Sequence, residues 1–138
     1  MVIESFNTND TENIGKSIAL NSKKGDIYCL EGDLGVGKTI FVKGFAKGLN
    51  IKENITSPTF NIVNEYYGNF KMYHFDMYRI SSLDEIYDVG YEEYFFSEGI
   101  CLIEWASVVL EIIPKNAKWI NIQKDIEKDI NYRKITII

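Results

Sequence analysis

Eight consecutive residues, Gly32-Asp33-Leu34-Gly35-Val36-Gly37-Lys38-Thr39, carry the most chemical information in this chain. Glycine, four residues, glycine, lysine and threonine is the P-loop spacing. It works because residues without Cβ let the backbone curl until successive N–H groups converge on phosphate oxygens. A helix expected straight after the loop turns its positive end to the same anion. Lys38 then reaches the terminal phosphates, and the Thr39 hydroxyl enters the shell of a magnesium ion. The plainer alternative is a glycine-rich turn that merely joins a strand to a helix.

Phosphate chemistry of this kind needs an acid at the end of a neighbouring strand to orient magnesium or its water. Two positions qualify: Glu104, closing the apolar run Ile100–Ile103, and Asp76, closing Phe70–Phe75. P-loop proteins often place aspartate here, so glutamate at 104 is a departure that still supplies an oxygen ligand. The base or water-orienting residue must face the γ-phosphate opposite the leaving group, and Asp76 is assigned that part. Without a phosphate, either acid is simply a solvated strand end.

Other side chains have two readings each. His74, the single histidine, shares a strand face with Asp76 because side chains alternate; it either titrates near neutrality or is packed and hydrogen-bonded. Arg79 either neutralises phosphate charge or makes a surface ion pair. Ser57-Pro58-Thr59-Phe60 lies where P-loop proteins keep a loop that senses the γ-phosphate, or else leads plainly into a strand. Trp105 stacks on a base, anchors a partner or fills core. The aromatic and acidic residues interleaved through 84–96 form a partner surface or cover the sheet.

The elements that must position these residues follow from periodicity. Asn9 with Glu12 makes a capping-box start, and Ile14 and Ile18 give a one-sided helix ending before Gly25. Ile27-Tyr28-Cys29-Leu30 reads as the strand entering the P-loop. Phe41, Phe45 and Leu49 recur every fourth residue on the helix leaving it, which Gly48 and Asn50 end. Residues 51–59 read as loop, and Phe60–Tyr67 and Phe70–Tyr78 as a hairpin around Gly68-Asn69. Ser82 with Glu85 caps a short helix, and Tyr91–Phe96 forms a second. Ile100–Ile103 is a buried strand, and Trp119–Gln123 and Tyr132–Ile138 are two more, joined by a charged turn. This predicts an α/β, three-layer P-loop NTPase fold with a mixed, partly parallel central sheet, in one domain over 1–138. Ligand is expected at the carboxyl ends of the central strands.

Bulk properties narrow the role. A net charge of −5 argues against a stand-alone grip on nucleic acid, so tRNA or other RNA would be met through a partner. The lysines near 43–47 and 115–134 read as a solvated face. Cys29 and Cys101 sit in apolar runs as buried thiols, without spacing for a disulfide or zinc site, which makes a reducing, cytoplasmic setting the default. No run approaches the length of a membrane span.

Taken together, Gly-Asp-Leu-Gly-Val-Gly-Lys-Thr (32–39), Ser-Pro-Thr-Phe (57–60), His-Phe-Asp-Met-Tyr-Arg (74–79) and Ile-Glu-Trp (103–105) resemble the TsaE (YjeE) family in order and spacing over nearly the whole chain. The resemblance implies a small bacterial ATPase needed to make threonylcarbamoyladenosine in tRNA. It would work with TsaD, which transfers the threonylcarbamoyl group, and TsaB, its scaffold. Carried over by residue, it gives phosphate and magnesium to Lys38 and Thr39, the remaining magnesium contact to Glu104, and hydrolysis to Asp76. Thr59 belongs to a nucleotide-sensing loop and Trp105 to the nucleotide or partner side. Ala106 departs from the proline or glycine frequent there. ATP rests on this resemblance and on missing guanine signals, since neither Asp-x-x-Gly nor Asn-Lys-x-Asp occurs. A small-molecule kinase would want several arginines and a lid. An ATP-binding assembly factor with incidental turnover is the non-enzymatic alternative.

Overall fold

The computed structural model covers residues 1–138, which fold around a single seven-stranded sheet. In chain order the elements are β1 (Val2–Ser5), α1 (Thr8–Leu20), β2 (Ile27–Glu31), α2 (Lys38–Gly48), β3 (Val63–Tyr67) and β4 (Lys71–Asp76), followed by α3 (Leu83–Val89), α4 (Tyr91–Phe95), β5 (Ile100–Glu104), a 3₁₀ segment (Ala106–Ile112), β6 (Lys118–Lys124) and β7 (Arg133–Ile137). The strand order is β1-β7-β6-β2-β5-β4-β3. β6, β2, β5 and β4 run parallel, while β3, β7 and β1 are added antiparallel at the margins. The mixed, partly parallel sheet predicted from sequence is therefore present.

Alternation in the central strands divides the core in two. Tyr28 and Leu30 face the α1 and α2 layer with Met72, Ile100, Leu102, Ile120 and Ile122. Ile27 and Cys29 face the opposite layer with Phe75, Cys101 and Ile103, under Ile86 of α3, Phe95 of α4 and Val109 of the 3₁₀ segment. Both thiols are buried, and burial pushes each up to about 12.

α2 follows its expected pattern, with Phe41, Val42, Phe45 and Ala46 buried. α1 can lie directly against it because Gly44 has no side chain; a Cβ there would collide with the backbone of Glu12. The start of α1 differs from the predicted Asn9 and Glu12 pair. Asn7, in extended backbone, accepts from the Asp10 N–H at 2.8 Å, and Asp10 accepts from the Phe6 N–H at 3.0 Å. The helix is thus capped two residues earlier, by Asn7, with Asp10 reaching back to the residue before the cap, and Glu12 instead pairs with Lys47 of α2.

Other boundaries also shift. The hairpin strands are shorter than predicted, and Tyr67 opposite Lys71 leaves a three-residue turn, 68–70. The Asn69 N–H donates to Leu49 O at 2.7 Å, which ties that turn to the end of α2. Residues 60–62 stay irregular, and β4 stops where the Asp76 carboxylate accepts from the Tyr78 N–H at 3.0 Å. α4 ends at Phe95, which is buried, and Phe96 is exposed. Glu85 caps α3 as expected, accepting from the Ser81 and Ser82 N–H groups. β1 and the 3₁₀ segment have no counterpart in the sequence reading. β1 buries only Ser5 and is defined by its pairing to β7, too distant for a local pattern to reveal.

Candidate nucleotide-binding site

The glycine-rich loop joins the carboxyl end of β2 to the amino end of α2, the predicted place for a ligand in a parallel sheet. Gly32, Gly35 and Gly37 take φ of +151°, +76° and +107°, values that side chains with a Cβ rarely adopt. The loop is held at its middle, where Val36 is buried and its carbonyl accepts from Arg133 Nε at 2.7 Å. Arg133 also donates to the carbonyls of Ile130 and Tyr132. This clamp from β7 was not foreseen; no local pattern links positions so far apart.

Lys38 opens α2 with its side chain turned inward, and the residue is only 6 % exposed. Its Nζ makes no hydrogen bond and lies 4.0 Å from the centre of the Trp105 ring. Burial lowers the lysine below its ordinary range, against the opposing pull of Glu104, Asp76, Glu31 and Asp33. The residue that follows β5, Trp105, adopts left-handed backbone at φ +57°, and its ring lies 4.9 Å from that of Tyr78. The chain therefore turns at Trp105 itself. Ala106 is fully buried, and the next residue, Ser107, donates its N–H to Glu31 at 2.8 Å.

The two acids stand side by side because Asp76 of β4 is directly opposite Glu104 of β5 in the parallel ladder. Glu104 is 5 % exposed and its Oε2 lies 2.6 Å from Nε2 of His74, a residue itself 1 % exposed. His74 thus takes the packed, hydrogen-bonded reading. Arg79 is exposed and makes neither a hydrogen bond nor an ion pair, so its surface-ion-pair reading does not hold.

A cavity of about 330 Å³ gathers Leu34, Gly35, Gly37, Lys38, Thr39, Asp76, Glu104 and Trp105, with Ser57 and Tyr78 completing the wall. Gly32, Asp33 and Val36 border a second hollow, which shares Leu34 and Trp105 with the cavity and is also lined by Asn121 and Gln123. Thr59 is not in the cavity; it lines an adjoining hollow with Phe60 and Arg79 that shares Leu34, Ser57, Asp76 and Tyr78 with it. No three side chains among His, Cys, Asp and Glu are grouped to hold a metal ion by themselves. The oxygens of Thr39, Glu104 and Asp76 fit a hard cation that also takes ligands from phosphates and water.

Comparison with known proteins agrees with this geometry. The model of the family described as threonylcarbamoyl adenosine biosynthesis protein TsaE matches residues 5–135. The tRNA threonylcarbamoyladenosine biosynthesis protein TsaE of Bacillus subtilis is 45% identical over 129 residues, covering 91% of this chain and 80% of the relative. Its counterpart from Treponema pallidum is 42% identical over 106 residues, covering 77% of this chain and 78% of the relative. A crystal structure of Bacillus subtilis YdiB superposes with a TM-score of 0.77 at 39% identity, covering 99% of this chain and 83% of that one. With its P-loop, partly parallel sheet and family match over most of its length, the chain belongs to the TsaE family.

Proposed function

We propose that the 138 residues act as one P-loop ATPase domain, binding and hydrolysing ATP with magnesium to support a TsaD–TsaB complex in threonylcarbamoyladenosine modification of tRNA. The observation that carries this reading is Lys38. A buried ammonium without a hydrogen-bond partner is costly, on the order of 1–3 kcal/mol or more, and an arriving phosphate offsets that cost. The first-turn N–H groups of α2 face the same anion.

In this reading Gly32–Thr39 cradle the phosphates, Thr39 and Glu104 hold magnesium, and Asp76 orients the attacking water or takes its proton. The chemistry magnesium supplies is neutralisation of charge on the β- and γ-phosphates. Lys38 moves from the Trp105 ring to the terminal phosphates, and Thr59 belongs to the loop that responds to them. ATP is preferred to GTP because the guanine-reading strings are missing. The acidic chain meets tRNA only through its protein partners, in the cytoplasm; no helix is long and apolar enough to cross a membrane.

The test is ATPase activity of the native chain, Asp76→Ala and Glu104→Ala, each with and without TsaD and TsaB. Loss of turnover in both variants is expected, by roughly 100-fold or more for Asp76→Ala. Native turnover in both would sink the site assignment. If hydrolysis is absent in the native chain and ATP still promotes partner binding, the protein is an assembly factor. Depleting it should remove the tRNA modification.

A further inference from the structure

We propose that His74 is a positioning residue that fixes the Glu104 carboxylate so that one oxygen, Oε1, is offered to the divalent cation of the bound nucleotide, favouring magnesium over calcium. The inference rests on Glu104 being the metal-binding acid of the proposed function. Nε2 of His74 and Oε2 of Glu104 are 2.6 Å apart, and both residues are buried on adjacent parallel strands whose ladder fixes their backbones. The other ring nitrogen, Nδ1, is buried and has no partner. A proton on Nδ1 would therefore be a buried donor without an acceptor. The arrangement that avoids this is a neutral ring donating its Nε2–H to an ionised Glu104. Oε2 is then occupied, while Oε1 makes no hydrogen bond in the protein and Glu104 borders the cavity.

A carboxylate held in this way presents Oε1 free and Oε2 with one lone pair already engaged and its orientation fixed, which favours coordination through one oxygen over coordination through both. Magnesium is commonly held by single carboxylate oxygens together with phosphates and water, whereas calcium often takes a carboxylate through both. Hydrogen bonds to the far side of a metal-binding group are commonly worth about 10–100-fold in metal affinity.

The experiment is calorimetric titration with ADP, free of hydrolysis, in EDTA, in magnesium and in calcium. The native protein should show a larger gain in ADP affinity with magnesium than with calcium. His74→Phe, which keeps a ring and loses the donor, should bind ADP in EDTA as the native protein does. It should lose about tenfold of the magnesium gain and narrow the gap to calcium. His74→Gln, which retains an N–H donor, should restore most of both. A full magnesium gain in His74→Phe overturns the proposal. Glu104→Gln separates the layers: if it loses the magnesium gain while His74→Phe keeps it, only the role of His74 falls, and if both keep it the metal site falls too. Should His74→Phe fail to bind ADP in EDTA, the native protein decides, since equal gains with magnesium and calcium overturn the proposal.

Discussion

On one side of the cavity Lys38, His74 and Glu104 are buried at the junction of α2, β4 and β5; on the other, Ser57–Phe60 lies at the surface, with the Phe60 ring wholly in solvent. The first wall is held by the β4–β5 ladder, the His74–Glu104 bond and the Arg133 clamp on the P-loop. The second is tied only at its ends. Thr56 exchanges hydrogen bonds with the Tyr66 hydroxyl, and Ile62 accepts from the Asp76 N–H at 3.1 Å, but residues 57–61 make none. Groups that meet phosphate and metal gain from being fixed in advance. In the proposed function the second wall responds to the phosphates, and a responding segment gains from ordering only when its ligand arrives; such segments come from the least stable part of a fold.

The largest effect should come from removing the cation of the fixed wall. Lys38→Met should weaken ADP binding by about 100-fold, measured by calorimetry, through loss of a charged hydrogen bond. The same change should stabilise the nucleotide-free protein by about 1 kcal/mol at neutral pH, because a desolvated charge leaves the interior. The sign follows from linkage. The folded lysine sits below its ordinary 10.5, so the penalty is full at neutral pH. It fades as pH rises through the lowered value toward 10.5, and the two melting curves should converge there.

Next in size, Gly44→Ala should destabilise the protein by about 2–3 kcal/mol in denaturant titration, because its Cβ meets the Glu12 backbone and α2 cannot keep both its place and its contact with α1. Arg133→Met should cost about 1–2 kcal/mol of stability and lower ADP affinity several-fold, since the Val36 carbonyl loses its partner and the P-loop its brace. The smallest effect belongs to the open wall: Phe60→Ala should change stability by less than about 0.5 kcal/mol. Amide exchange over 57–61 should be nearly unprotected without nucleotide and slow clearly when a non-hydrolysable ATP analogue binds with magnesium. Protection of 57–61 in the free protein would erase the contrast between the walls.

Much of this was legible in the residues. The glycines, Lys38 and Thr39 lie in a local turn and the start of the helix after it, so spacing was enough to place them. The runs at Ile27 and Ile100 reported parallel strands of the sheet centre, and Glu104 followed as the polar end of the second and Asp76 as that of the run from Phe70. The start of α1 was misplaced because Asn7 and Asn9 are both good caps, and the backbone leaving β1 chose between them. Thr59 shares the motif's order but lines the neighbouring hollow.

Local chemistry determined the P-loop turn, the helix that follows it and the strand ends beside it, because turn geometry, helix direction and strand burial each depend on neighbours within a few residues. Long-range packing decided the rest. It put Asp76 opposite Glu104, closed His74 onto that carboxylate, laid Trp105 over Lys38, and brought Arg133 from the far end of the chain to brace Val36. Those contacts join residues tens of positions apart, and they arise only when the strands take their order in the sheet.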